Sequence, residues 1–198
     1  MRITAEAKRE TRQRILDEAR ALFGRGGFEA ATTRDLAAAA GIATGTLFNY
    51  FPSKEAIAIA IVAEALAGAH RTFETQPPKG ESLEEDLFAL IAAELRALRP
   101  HRSYFRPVLE TALSPLVRTD ASPEGEAIRV AHLEAATRLL AARLPEKALP
   151  PVALNLYWTL YTGVLAFWAS DASPKQEDTL AVLDHYLKAF VRSLPQPA

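Results

Sequence analysis

The residue types able to do chemistry are distributed along this chain in a way that argues against catalysis. There are no cysteines, so a disulfide framework, a thiolate zinc site and a cysteine nucleophile are excluded, and the composition suits a reducing cytosol, where the protein is expected to reside. The four histidines, His70, His101, His132 and His185, all lie beyond residue 54, and no two fall within a helix turn of one another. That spacing predicts no metal site. No glycine-rich phosphate loop, nucleophile elbow or metal-binding pair occurs, so neither an enzyme nor a cofactor is expected. The informative stretch is 32–51. Thr32 stands three residues before Asp35, a pairing that satisfies free amides at a helix start. Ala37 is small enough for two helices to cross closely, and Gly41 bends the chain between them, as a helix-turn-helix requires. Leu36, Ala40, Ile42, Leu47 and Phe51 fall where apolar side chains close the core beneath it.

The elements that position this stretch follow from apolar spacing and helix stop signals. A first helix is predicted over 5–25, with Ile15, Ala19, Leu22 and Phe23 on one face and Gly26-Gly27 ending it. The second starts at Thr32 and stops at Gly41; the third bears Leu47, Phe48 and Phe51. Pro52 breaks the chain, and Ser53 caps a fourth helix to about residue 73. A linker over 76–80, sequence QPPKG, comes next. Ser82 with Glu85 opens a fifth helix to about residue 99, and a sixth over 103–113 contains Pro107. A loop over 114–123, a seventh helix over 124–144, a break at Pro145 and Pro150-Pro151, and helices over 152–169 and 174–194 complete the chain. No run alternates as a strand would, so the fold is predicted all-α, with about nine helices. Residues 152–169 carry no charge and are long enough to raise a membrane span. Asn155, Thr159, Thr162 and Gly163 interrupt them and no lysine or arginine anchors the ends, so they read as a helix buried in a core or interface, and no membrane is expected.

With 198 residues, 49% hydrophobic and 24% charged, the chain has an ordinary globular composition, and a chain of this length buries roughly 70% of its unfolded surface. The opening residues lack the apolar stretch of a secretion signal. The net charge of -1 conceals a split. Residues 1–54 hold nine Lys/Arg against six Asp/Glu, and the remainder fourteen against eighteen. A basic head on an acidic body points to a nucleic-acid module joined to something else.

Gly27-Phe28, Thr32-Thr33-Arg34-Asp35-Leu36-Ala37, Ala40-Gly41-Ile42, Gly45-Thr46-Leu47-Phe48-Asn49-Tyr50-Phe51 and Ser53-Lys54-Glu55 together resemble the DNA-binding domain of the TetR/AcrR family of bacterial transcription regulators. The likeness spans about residues 9–61. It implies a helix-turn-helix DNA-binding domain over 1–52 and a helical effector-binding and dimerisation domain over 53–198, linked by the helix 53–75. It further implies that Thr32 and Arg34 meet phosphate at a helix start, with Thr33 among the DNA-binding residues. Thr44, Gly45, Thr46 and Asn49 would face the groove, where asparagine pairs with adenine, threonine meets a thymine methyl and glycine lets the backbone come close. Tyr50 and Lys54 match positions that contact phosphate. The sequence departs from the commonest pattern at Thr44, where lysine is frequent, at Phe48, in place of tyrosine, and at Asn49, in place of histidine. The operator sequence therefore does not follow from the likeness. Arg2, Lys8, Arg9 and Arg12 form either a compensating basic arm or a solvated helix face.

In the eighth helix, Tyr157, Tyr161, Val164 and Trp168 make one apolar stripe and Leu156, Leu160, Gly163 and Phe167 another, so two different surfaces must cover them. The ninth offers Leu180, Leu183, Leu187, Phe190 and Leu194. The likeness implies that these two helices pair with their two-fold mates, with Leu160, Gly163, Phe167, Leu183, Leu187 and Phe190 at a homodimer interface. Two recognition helices one duplex turn apart would then read a palindromic operator in double-stranded DNA. Tyr104, Phe105, Leu109, His132, Trp158 and Tyr161 are either core or the lining of a mostly apolar cavity for a small-molecule effector. The expected function is a sequence-specific repressor released by such an effector; the alternative is a helical DNA-binding or partner-binding protein with no effector response.

Overall fold

The computed structural model describes residues 4–77, 80–113, 122–144 and 150–194. Arg2, Pro78 and Lys79 of the linker, residues 114–121 of the expected loop, and Pro145 lie outside the described residues. Among the described residues every regular element is a helix and none is a strand. In order the helices are α1 (Ala5–Gly26), α2 (Thr33–Ala39), α3 (Thr44–Phe48), α4 (Lys54–Thr75) and α5 (Leu83–Leu98), followed by α6 (Phe105–Val108), α7 (Pro123–Arg143), α8 (Pro151–Ser170) and α9 (Glu177–Ser193).

Side-chain caps fix several helix starts. Thr32 Oγ1 accepts from Asp35 N, Ser53 Oγ from Ala56 N, and Ser82 Oγ from Glu85 N, each satisfying an amide that no helical carbonyl reaches. The region expected as one helix over 103–113 is instead three short turns: a 3-10 segment (Arg99–Tyr104), α6, and a π-type turn (Leu109–Leu113). The prolines account for this. Pro100 sits in the first turn of the 3-10 segment, where an N–H is not needed, so the chain stays helical beyond α5; Pro107 lacks the N–H that would continue the α-ladder. The last helix likewise begins later than expected, because Lys175 and Gln176 take φ of 54° and 60° at a kink. The kink is held from both sides. Asp171 accepts from Ser173 N and from the amide and hydroxyl of Thr179, while Gln176 Oε1 accepts from Trp168 Nε1 at 3.1 Å.

α4 is the spine. Ile57 through Val62 are six consecutive buried residues, possible only because α1 covers one side and α5, α6 and α7 the others. One continuous apolar core therefore runs from Ile15 in α1 to Leu194. Polar contacts join the same parts: Arg20 pairs with Glu64, and Arg12 lies 3.6 Å from Glu64 and 3.9 Å from Glu124. Arg12 is thereby committed to the body of the protein rather than to a free basic arm, whereas Lys8 and Arg9 are exposed.

The two stripes of α8 separate cleanly. Tyr157, Tyr161, Val164 and Trp168 are buried, while Leu156 is 43% and Phe167 40% exposed, Gly163 is exposed and Leu160 half-buried. On α9 the expectation requires correction. Leu183, Leu187 and Phe190 are buried within the protomer, so they are core and do not form a subunit interface. They were misassigned because one apolar stripe on an amphipathic helix looks the same whether its own chain or another covers it. Leu180 is the exposed leucine of that set, at 40%.

Candidate nucleic-acid interface and buried polar cluster

The helix-turn-helix is assembled from short-range contacts. Ala37 and Ala40 are buried at the crossing, Gly41 turns the chain at φ 65°, and the Ile42 amide closes the turn by donating to the Ala37 carbonyl at 2.9 Å. A left-handed residue is needed there, which glycine supplies without steric cost. Arg14 of α1 donates to the Ala40 carbonyl at 2.9 Å and so satisfies the end of α2 from outside. Leu36 and Leu47 are buried beneath, with Phe51, leaving α3 attached by one face.

The other face carries most of the expected contact residues. Gly45 and Asn49 are exposed, Thr44, Thr46 and Tyr50 half-buried. Phe48, which stands in place of the family's tyrosine, is 49% exposed and joins this surface. Its place four residues after Thr44 and three after Gly45 was the available signal. A Cβ built on Gly45 meets nothing within 4 Å, so nothing inside the protomer requires glycine there.

The residues at the start of α2 are more constrained than the sequence suggested. The Thr32 hydroxyl accepts from Asp35 N and also donates to Asp35 Oδ2 at 2.6 Å, and Thr32 N donates to the same carboxylate. Those bonds hold the Asp35 carboxyl below its usual range. A phosphate near this helix start would therefore meet a fixed negative charge and a hydroxyl already engaged, leaving the early amides at Thr33 and Arg34 and the exposed Arg34 side chain as the attractive groups. Lys54 has an internal role as well: its ammonium donates to the Phe28 carbonyl at 2.8 Å and lies 4.2 Å from the centre of the Phe28 ring. An ammonium has three donors, so this leaves two.

The six residues proposed as a cavity lining divide. Tyr104 contacts the Phe23 ring at 5.1 Å and hydrogen-bonds His101, and Phe105 meets Trp168 edge-on at 5.4 Å. Both are fully packed, and burial pushes the Tyr104 hydroxyl up to about 12. Leu109 is half-buried against the core. His132, Trp158 and Tyr161 come together: the His132 ring stacks on Tyr161 at 3.7 Å and lies 6.1 Å from Trp158. A separate groove of about 600 Å³ between α4 and α5, lined by Ala65, Gly68, Ala69, Ala89 and Ala93 among others, contains none of the six.

Sequence reasoning missed the partner of His132. Glu94 of α5 is fully buried, and its Oε1 accepts from His132 Nδ1 at 2.7 Å and faces His70 Nε2. Burial pushes the Glu94 carboxyl up, but the imidazoles of His132 and His70 outweigh that and bring it down to about 2. Burial, and then the Glu94 charge, push the hydroxyls of Tyr157 and Tyr161 well above their usual value. Glu94 Oε2, His132 Nε2 and both tyrosine hydroxyls have no hydrogen-bond partner among the described residues. Each such group costs about 1–3 kcal/mol when left unsatisfied in a core. The overlooked signal was a carboxylate on an otherwise apolar stripe, Leu87, Leu90, Ile91, Glu94, Leu95 and Leu98. Helix-turn spacing does not reveal the cluster because its members come from three different helices.

Fold and surface together define a helix-turn-helix module carried on a larger helical body. The family model for bacterial regulatory proteins, tetR family, matches residues 15–61. The transcriptional repressor AcnR of Corynebacterium efficiens is 30% identical over 179 residues, 86% of this chain and 88% of AcnR. KstR of Mycolicibacterium smegmatis, also a transcriptional repressor, is 32% identical over 130 residues, 65% of this chain; the match spans 61% of KstR's own length. Among solved structures, a TetR regulator from Rhodococcus sp. RHA1 has the same fold, with TM-score 0.74 at 18% identity over 94% of this chain and 98% of that one. FadR of Thermus thermophilus, a repressor solved with lauroyl-CoA, gives TM-score 0.71 at 23% identity over 94% and 97%. This chain belongs to the TetR family.

Proposed function

We propose that the protein is a homodimeric transcription regulator that binds a palindromic operator and acts as a repressor, released when a small, largely apolar effector enters the helical body. The observation that carries the reading is the free face of α3. Gly45, Asn49 and Phe48 stand exposed on a short helix held from behind by Leu47, the geometry of a recognition helix entering a major groove. Residues 1–52 would grip DNA and residues 53–198 would bind effector and partner, with α4 belonging to both. The exposed stripe of α8, with Leu156, Leu160, Gly163 and Phe167, supports a partner subunit on that side. AcnR, KstR and FadR are transcriptional repressors, which supports a regulatory and cytoplasmic role.

Selection of bound sequences from a random duplex pool tests the reading. Enrichment of a palindrome is expected. Asn49→Ala should then relax preference at one position of each half-site, and Lys54→Ala should weaken binding to all duplexes and reduce the salt slope by about one. Equal binding to every duplex, or loss of Asn49 without effect on the selected sequence, would refute the recognition surface.

A further inference from the structure

We propose that His70, Glu94 and His132 form a buried site for one divalent transition-metal ion of the zinc type, in the middle of the helical body. The three side chains come from α4, α5 and α7 and are all buried, and the atoms they offer as ligands lie within 4.8 Å of one another. Two imidazoles and one carboxylate are a recurrent three-ligand set for zinc, leaving a fourth position for water or an anion. With no thiolate in the chain, the donors suit zinc, cobalt, nickel or ferrous iron rather than cuprous copper.

Charge balance points the same way. A buried carboxylate requires a compensating cation, and among the described residues the basic groups within 4 Å of Glu94 are the two imidazoles. A divalent ion supplies that charge and uses both imidazoles in their neutral, ligating form. The unpartnered atoms provide a second, independent observation. Among the described residues Glu94 Oε2 and His132 Nε2 are unpartnered and the buried hydroxyls of Tyr157 and Tyr161 lack acceptors, so a water or anion on the fourth position of the ion would give hydroxyl donors of this kind a partner. Packing orients one of the ligands: the His132 ring lies 3.7 Å from Tyr161 and 5.5 Å from Tyr157, tilted by 17° and 5°.

A consequence for regulation rests on the DNA-binding reading above. α4 carries His70 near one end and Lys54 at the other, so an ion drawing α4, α5 and α7 together would act on the helix that begins beside the DNA-binding module. Metal uptake is measured without DNA, so the two readings fail separately.

The test uses the whole chain, stripped with a chelator, reloaded with Zn²⁺ or Co²⁺, dialysed, and analysed for metal by mass spectrometry. One ion per chain is expected, and the Co²⁺ form should show visible absorption bands of a low-symmetry nitrogen and oxygen site. Glu94→Gln and His70→Asn should each weaken uptake by more than about 100-fold, beyond the 10–100-fold that loss of a supporting partner costs. X-ray absorption of Co²⁺-loaded wild type reads the ligands without any variant, and two imidazoles in the coordination shell are expected. Wild type that retains no ion, or an ion whose shell contains no imidazole, would overturn the proposal and leave a proton on one imidazole as the counter-charge. Uptake equal to wild type in folded Glu94→Gln and His70→Asn would overturn it as well.

Discussion

Gly45→Ala sets the needs of the fold against those of the proposed DNA surface. Gly45 lies in α3, its φ is not among the positive values of the chain, and an added Cβ meets nothing within 4 Å. Inside the protomer the methyl is therefore free of strain. Replacing a helical glycine by alanine removes an entropic cost of about 0.5–1 kcal/mol. For a chain of this size that corresponds to a rise in Tm of about 1–4 °C. The same methyl projects from the surface on which a duplex would be read, where a lost contact worth about 1.4 kcal/mol lowers affinity tenfold. The expected variant is thus more stable and binds its selected duplex about tenfold less tightly. Calorimetric unfolding and fluorescence anisotropy with the duplex recovered from selection give the two readings. Gly41→Ala is the control: its φ of 65° makes a side chain cost about 1–2 kcal/mol, so it should lose about 2–8 °C. Unchanged affinity in a stabilised Gly45→Ala protein would refute close approach of α3 to DNA. Lowered stability would refute the claim that the fold leaves this site open.

Two further outcomes follow from the body of the protein. Phe167 is 40% exposed on the free stripe of α8; that share of the roughly 1.5–3 kcal/mol for burying such a side chain, counted twice across a two-fold interface, is about 1–2 kcal/mol. Phe167→Glu should therefore raise the dimer dissociation constant about tenfold or more by sedimentation, and an unaltered constant would remove this stripe from the interface. Asp171 accepts from Ser173 and Thr179, which lowers its carboxyl pKa below the ordinary 3.8. A depressed folded-state value stabilises the protein above that pH and ceases to do so as pH falls below it, so wild type should lose Tm on acidification in that range more steeply than Asp171→Asn. Parallel profiles would show that the carboxylate does not hold the α8–α9 corner.

The sequence was legible wherever the determining contacts were local. Thr32 with Asp35, Ser53 and Ser82 announced helix starts because a side-chain oxygen reaches an amide only three residues away, and Gly41 announced its turn because few residues adopt positive φ. Helix periodicity also divided α8 into its two stripes. It did not decide which stripe was covered, nor that Leu183, Leu187 and Phe190 of α9 face inward. Amphipathicity records that a face is apolar, whereas its partner depends on how whole helices pack. Pro100 shows a related limit: a proline that ends an α-helix still fits the first turn of a 3-10 helix, and only the packed chain selected between a break and a continuation.

By itself, then, the sequence determined the all-helical class and the helix-turn-helix, since each depends on contacts three or four positions apart or on the backbone freedom of one residue. Tertiary structure alone decided that Lys54 is tied to Phe28, that Arg12 is drawn onto Glu64 and Glu124, and that Glu94 meets histidines 24 and 38 positions away. Convergence over such separations is set by the packing of α4, α5 and α7 around a shared core, and no local pattern in the chain encodes it.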